Sequence, residues 1–77
     1  MAEDINEKIS VNLFNTEPTG FFWRGRSYNI TQIGLHHTFR EGRNLIHVFS
    51  ATDGNTFFKL QLDTETLQWR LLHVQSG

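Results

Sequence analysis

The sequence predicts an all-β protein, an antiparallel meander of five or six strands that forms a strongly curved sheet or a small half-open barrel. Apolar and polar residues alternate over several short segments, which is typical of strands with one buried face. The pair Asp53-Gly54 marks a tight hairpin. Two successive hairpins place the same apolar residues on one face, and a sheet with one apolar face and no predicted helix must curl or bury that face against another chain.

The first strand is predicted over residues 9–13, where apolar and polar side chains alternate. A short helix with Ile5 and Leu13 on one side is the alternative. Residues 17–20 are predicted to form the following turn, because Pro18 suits the second position of a type I turn.

The segment 21–39 is rich in strand-forming residues. A tight hairpin at Arg24-Gly25 would set Phe21 opposite Tyr28, and we prefer it to a continuous strand bent at the glycine. The apolar residues then change from even to odd positions. A bulge near Thr31 and Gln32 would reconcile the two patterns, since a bulge adds one residue to one strand.

The last three strands are predicted from the turns that join them. A hairpin at Asp53-Gly54 sets Phe49 opposite Phe58, and a four-residue loop from Asp63 sets Leu60 opposite Trp69. Both registers give one core face, formed by Leu45, Phe49, Phe58, Leu60, Leu62, Leu67, Trp69 and Leu71. The opposite face carries Ile46, Val48, Phe57, Leu72 and Val74 among polar residues, and is apolar enough that we expect part of it to be covered.

The length of 77 residues predicts one domain, over residues 9–77, with an acidic N-terminal tail over residues 1–8. We expect that tail either to be disordered or to dock on the basic residues that follow. The chain has no cysteine, which excludes disulfides and cysteine-ligated metals. An acidic start without an apolar run, and no membrane-length apolar stretch, predict a cytoplasmic protein with no membrane partner.

The sequence resembles a family of short uncharacterised bacterial proteins, a domain of unknown function with a Trp-Arg-Gly-Arg-x-Tyr signature. The resemblance covers residues 20–77. Its matching positions are Trp23, Arg24, Gly25, Arg26, Tyr28, Ile30, His47, Val48, Gly54, Phe58, Leu60, Asp63, Trp69 and Leu71. The family has a small β-sheet fold and no established activity, so the resemblance implies a fold and no catalytic residues. The chain departs from the family between Ile33 and Asn44, where relatives are rich in tryptophan.

The best candidate site combines aromatic and basic residues, which together can stack bases and neutralise phosphates. Its residues are Trp23, Arg24, Arg26 and Tyr28, with Arg40 and Arg43 in the next loop as an extension. The competing interpretation is that the aromatic rings belong to the core while the arginines are solvated or pair with acids of the tail.

No catalytic, metal or cofactor site is predicted. His36 and His37 point to opposite faces of a strand, and His37 is the one expected to share the core face with His47. Asp53 and Asp63 occupy positions where turns favour aspartate. We therefore predict a non-catalytic binding module that acts on a protein partner or by self-association. The alternative is a single-stranded nucleic-acid-binding accessory domain that uses the cluster from Phe21 to Tyr28.

Overall fold

A single antiparallel sheet of seven strands makes up most of the chain in the computed structural model, which describes residues 2–76. The strands are β1 (Ala2–Phe14), β2 (Glu17–Trp23), β3 (Arg26–Asn29), β4 (Gln32–Glu41), β5 (Asn44–Thr52), β6 (Thr56–Asp63) and β7 (Gln68–Ser76). The all-β prediction is confirmed, but the number of strands is higher than the expected five or six.

The strand order is β3-β2-β1-β7-β6-β5-β4, so β1 pairs with β7 and the sequence neighbours β3 and β4 lie at opposite edges. This order differs from the expected simple meander. Only Ile30 and Thr31 separate the two edge strands. The Ile30 amide donates to Thr19 of β2 and the Thr31 amide donates to Thr52 of β5, at 3.0 and 2.9 Å. One extended run therefore changes its partner here, from β2 to β5, and links the two edge strands of the sheet.

The first strand begins at Ala2, and the expectations of a tail over residues 1–8 and of a helix are both wrong for the described residues. Glu3 pairs with Val74 and Lys8 with Arg70 in the ladder between β1 and β7. A register shift near Asn6, which has a φ of 57°, interrupts this ladder. Pairing with β7 supplies backbone partners that an isolated acidic segment lacks, which is why local composition did not reveal the strand.

The turn between β1 and β2 lies at Asn15 and Thr16, which have φ values of 49° and 68°. It replaces the turn expected over residues 17–20. Positive φ at both central residues is the geometry that matches the twist of paired strands. Pro18 is instead buried inside β2, opposite Leu13 and beside a register shift, the kind of position where a strand tolerates proline.

The Arg24-Gly25 hairpin is confirmed, with Phe21 opposite Tyr28. The expected bulge at Thr31 and Gln32 lies instead at Gly34, where the register between β4 and β5 shifts. The position of the bulge matters, because the residues that follow a bulge point to the face opposite the one that alternation predicts.

The register of β5 and β6 is offset by two residues from the expected one, so Phe49 lies opposite Leu60, and Phe58 opposite Ala51. Asp53 caps the turn in its observed position. Its Oδ1 accepts hydrogen bonds from the amides of Asn55 and Thr56, at 2.9 and 2.8 Å. An even offset keeps every side chain on its predicted face.

The turn between β6 and β7 has the expected four residues but covers residues 64–67, one position later than predicted. Leu62 therefore lies opposite Trp69, while Leu67 lies in the turn with a φ of 58° and 73% of its surface exposed. Leu67 was expected on the core face, and Leu71 opposite Phe58. A register shift at Leu72 places Val74 opposite Phe58 instead, so Val74 packs on the core and not on the opposite face as expected.

The hydrophobic core lies on one side of the sheet, which we call the inner face. Its buried members are Phe21, Phe49, Phe58, Leu60 and Leu71. Phe21 of β2 meets Phe58 of β6 edge to face, with ring centroids 4.9 Å apart. Two strands separate β2 from β6 in the sheet, so this contact joins side chains of strands that are not neighbours. The other side is the outer face, where Ile46 and Val48 are also buried, at 3% and 4% exposure.

Candidate binding surfaces

The structure brings together three of the residues in the predicted basic-aromatic site. Arg24 and Gly25 form the hairpin turn between β2 and β3, and both have positive φ. This turn folds the Arg24 guanidinium over the Trp23 ring, 4.6 Å from its centroid. The Trp23 and Tyr28 rings lie 5.9 Å apart. The Arg24 cation therefore lies against the aromatic face of Trp23, and this cation–π contact is favourable.

Glu7 of β1 completes this group of side chains. Its Oε1 accepts hydrogen bonds from Trp23 Nε1 and Arg24 Nε, at 2.9 and 3.1 Å, and its Oε2 accepts one from Arg24 Nη2 at 2.5 Å. The hydrogen bonds from Arg24 and then from Trp23 lower the pKa of the Glu7 carboxyl. In turn, the hydrogen bond to Glu7 raises the pKa of the Arg24 guanidinium. The positive charge of Arg24 is therefore balanced within the chain.

The aromatic rings of this group belong mainly to the core. Tyr28 stacks on Phe21 with centroids 5.0 Å apart and meets Phe58 at 5.8 Å. Trp23 is half-buried and its indole N–H is already bonded. These contacts agree with the second interpretation from the sequence, in which the rings are core and arginine pairs with an acid of the N-terminal segment.

Of the other predicted basic residues, Arg26 lies beside this group, whereas Arg40 and Arg43 lie in a different hairpin. Arg26 is exposed opposite Trp23 in the ladder between β2 and β3. Arg40 and Arg43 belong to the hairpin of β4 and β5, where Arg40 Nη1 donates to the Arg43 carbonyl at 3.3 Å. That hairpin is tied to the turn after β6, because Asn44 Nδ2 donates to Asp63 Oδ1 at 2.8 Å. Within residues 2–76, no hydrogen bond or ring contact joins Arg40 and Arg43 to the Trp23 group.

The edge strand β4 is a surface that the sequence did not single out. It has ten residues, it pairs with β5 on one side only, and all of its residues except Ile33 are exposed. Because of the bulge at Gly34, Leu35 and Phe39 lie on the outer face with 58% and 42% of their surface exposed. The strand thus presents both open backbone groups and apolar side chains to solvent.

A second unexpected feature lies on the inner face of β4 and β5, where His36 Nε2 is 2.8 Å from His47 Nδ1. His36 also stacks on Phe49, with centroids 4.1 Å apart and planes inclined by 13°. The expectation that His37 shares a face with His47 is wrong, because the bulge at Gly34 turns His36 inward and His37 outward. A bulge placed correctly in the sequence would have identified the pair.

A groove of about 470 Å³ lies on the outer face near the other end of β4, lined by Gly34, Ser50, Phe57, Lys59 and His73 among others. In the part of the chain that the structure covers, no three potential metal ligands from His, Cys, Asp and Glu cluster together. A search of the same residues found no helix long and apolar enough to cross a membrane.

Comparisons with known proteins returned no relative. No protein-family model matches the sequence, and neither a curated protein nor a solved structure matches it significantly. The resemblance to a domain of unknown function therefore stays a prediction. What the chain does has to be argued from its own surfaces.

Proposed function

We propose that this chain is a non-catalytic interaction module that pairs with a second copy of itself through the free edge of β4. The observation that carries the proposal is the exposed ten-residue edge strand with Leu35 and Phe39 on its outer face. The finer description of the fold is part of the same proposal. We regard the curved sheet as a half-open barrel whose seam lies between β3 and β4, supported by the Phe21–Phe58 contact and the two-residue link between the edges.

An open edge of this length favours strand addition. Its outward amides and carbonyls are ready to pair with another strand, and natural sheets usually protect such edges with proline, lysine or a short strand. Gln32–Glu41 contains no proline or lysine and has ten residues, and the bulge at Gly34 lies near its beginning, before Leu35 and Phe39. Among Asp, Glu, Lys and Arg, the strand contains only Arg40 and Glu41, which lie at its end. The centre of the strand contains two histidines and otherwise neutral residues.

The sequence of β4 suits pairing with itself. A two-fold interface requires that a residue i contacts j while j contacts i. If two antiparallel β4 strands cross at His37, each Leu35 lies opposite Phe39 of the other copy, and Arg40 lies opposite Gly34. Aliphatic and aromatic residues directly opposite each other contribute roughly 0.2 to 1 kcal/mol per pair. This register also avoids placing like charges opposite one another.

Sedimentation velocity over a concentration series tests the proposal. We expect the wild-type chain to sediment as a dimer as concentration rises. The double variant Leu35→Lys with Phe39→Lys should remain a monomer, because lysines on an edge strand oppose strand addition. Phe57→Lys is the matched control, since Phe57 is 54% exposed on an interior strand and should leave dimerisation unchanged.

Circular dichroism establishes first that each variant is folded. A wild-type chain that stays monomeric at every concentration would overturn the proposal, and so would a dimer that the double lysine variant retains. Loss of the dimer in Phe57→Lys alone would place the interface on another part of the sheet.

Nucleic-acid binding has weaker support, because Glu7 already balances Arg24, and Arg40 and Arg43 lie apart from the Trp23 group. This alternative predicts salt-dependent quenching of tryptophan fluorescence by mixed-sequence single-stranded DNA. If the double variant Arg24→Ala with Arg26→Ala is folded and DNA no longer quenches its fluorescence, nucleic-acid binding would be better supported than self-association.

A further inference from the structure

The histidine pair on the inner face is a ready chelating group. His36 on β4 and His47 on β5 direct Nε2 and Nδ1 at each other across 2.8 Å, with their rings inclined by 26°. Phe49 stacks against His36 and fixes the plane of that ring. His36 is exposed and His47 is half-buried, so the pair is accessible from solvent.

One of the two rings must donate the hydrogen bond, so one of the two facing nitrogens carries a proton and the other offers its lone pair. Moving that proton to the far nitrogen of its own ring leaves both facing nitrogens with free lone pairs. No proton is gained or lost in this change of tautomer. Two imidazole nitrogens at bond lengths of about 2.0 to 2.1 Å from a tetrahedral ion lie roughly 3.3 Å apart. Binding therefore requires the two rings to separate slightly and to tilt until their lone pairs converge on the ion.

From this geometry we infer that His36 and His47 form a binding site for a divalent transition-metal ion of the kind that imidazole prefers, such as Ni²⁺, Cu²⁺ or Zn²⁺. The two imidazoles supply two ligands and water supplies the remainder, since the described chain places no third His, Cys, Asp or Glu with them. Affinity for such a site follows the general order in which Cu²⁺ exceeds both Ni²⁺ and Zn²⁺. Mg²⁺ and Ca²⁺ require oxygen ligands and are excluded.

The chain provides matched controls among its four histidines. His37 is the next residue after His36 and points to the opposite face. His73 lies on β7, where its Nδ1 is 2.9 Å from Asp4 Oδ1. Within one copy of the described chain, neither forms a hydrogen bond or ring contact with another imidazole, so His37 reports on a single surface histidine and His73 on a histidine beside a carboxylate.

The test is a titration of the full chain with Zn²⁺, followed by ¹⁵N NMR of the imidazole nitrogens and by calorimetry. We expect Zn²⁺ to shift His36 Nε2 and His47 Nδ1 first, and to fix the proton on the far nitrogen of each ring. His36→Gln and His47→Gln should each weaken binding at least tenfold. His37→Gln and His73→Gln should change it less than twofold, and Ni²⁺ should compete with Zn²⁺ for the same nitrogens.

Equal shifts at all four histidines would overturn the inference, as would a His37→Gln variant that loses as much affinity as His36→Gln. Failure of Zn²⁺ to shift any imidazole at tenfold excess would also overturn it. Repeating the titration on the folded Leu35→Lys with Phe39→Lys variant separates these outcomes from self-association, since a β4 dimer would bring His37 of two copies together.

Discussion

Single side chains link parts of this fold that are distant in sequence. Glu7 ties β1 to the hairpin of β2 and β3 by accepting three hydrogen bonds from Trp23 and Arg24. The sequence predicted that an acid of the N-terminal segment could pair with the arginines. It could not identify Glu7, because the choice depends on which strand lies beside β2. Asp53, in contrast, was predicted as a turn residue from local sequence, and its carboxylate does hold the turn.

The lowered pKa of Glu7 predicts a pH-dependent contribution to stability. A carboxyl with a depressed folded-state pKa stabilises the fold above its unfolded value, here 4.5, and loses that contribution as pH falls through the lowered pKa. Glu7→Gln should therefore have a lower free energy of unfolding than wild type at pH 7. The difference in free energy of unfolding between the two proteins should narrow as pH falls below about 4.

Urea unfolding followed by tryptophan fluorescence at several pH values measures this difference. Asp53 and Asp63, whose pKa values are also lowered by hydrogen bonds, are present in both proteins and so cancel in the comparison. Glu41→Gln is the control, since no hydrogen bond or ion pair of the Glu41 side chain is found in the described chain. A gap between wild type and Glu7→Gln that is constant with pH would contradict the assignment.

At the scale of the strand, the bulge at Gly34 determines which side chains of β4 lie on the inner face and which on the outer face. The sequence predicted His37 on the core face, whereas the extra residue sends His37, with Leu35 and Phe39, outward and brings His36 in. Ile33, before the bulge, does pack against the core. The change of alternation indicated a bulge in this region but not its exact position, because the position depends on how β4 aligns with β5. Both the edge surface and the histidine pair were therefore beyond sequence reasoning.

The proposed pairing of β4 predicts a specific crosslink. His37 lies at the two-fold axis of that register, so the His37→Cys variant brings two cysteines opposite each other at the Cα separation of 4.5 to 5.5 Å found in paired strands. This separation falls within the range of disulfides. We expect mild oxidation to produce a covalent dimer, seen by non-reducing electrophoresis.

The native chain has no cysteine, so a single introduced thiol gives an unambiguous result. Asn55→Cys, in the exposed turn between β5 and β6, is the control and should crosslink only slowly. Equal rates for the two variants would argue against the register that crosses at His37.

At the scale of the molecule, the pairing of the first and last strands holds the sheet together. It joins the unit of β1, β2 and β3 to the unit of β4 to β7, and thereby allows Phe21 to reach Phe58. Ile5 and Ile9 of β1 pack against the same core. The segment expected to be a tail is thus part of the structure that completes the core.

Deletion of residues 2–8 tests this role directly. We expect the melting temperature, measured by circular dichroism, to fall by at least the roughly 4 to 8 °C that a loss of 1 kcal/mol causes in a domain of this size. Glu3→Gln, which removes a charge and keeps the strand, should melt close to wild type. A deletion variant with an unchanged melting temperature would mean that β1 contributes nothing before Ile9.

The sequence by itself determined the all-β class, the Arg24-Gly25 hairpin and the core-side positions of Phe49, Phe58 and Leu60, because turn chemistry and alternation act between neighbouring residues. Both hairpin registers were offset by two residues, which preserved the faces of β5 and β6, since side chains alternate with a period of two; on β7 the shift at Leu72 turned Val74 to the core. Only the tertiary structure decided the β1–β7 pairing, the bulge at Gly34 and the exposed edge. These features depend on contacts between strands far apart in the chain, whose formation no local pattern encodes.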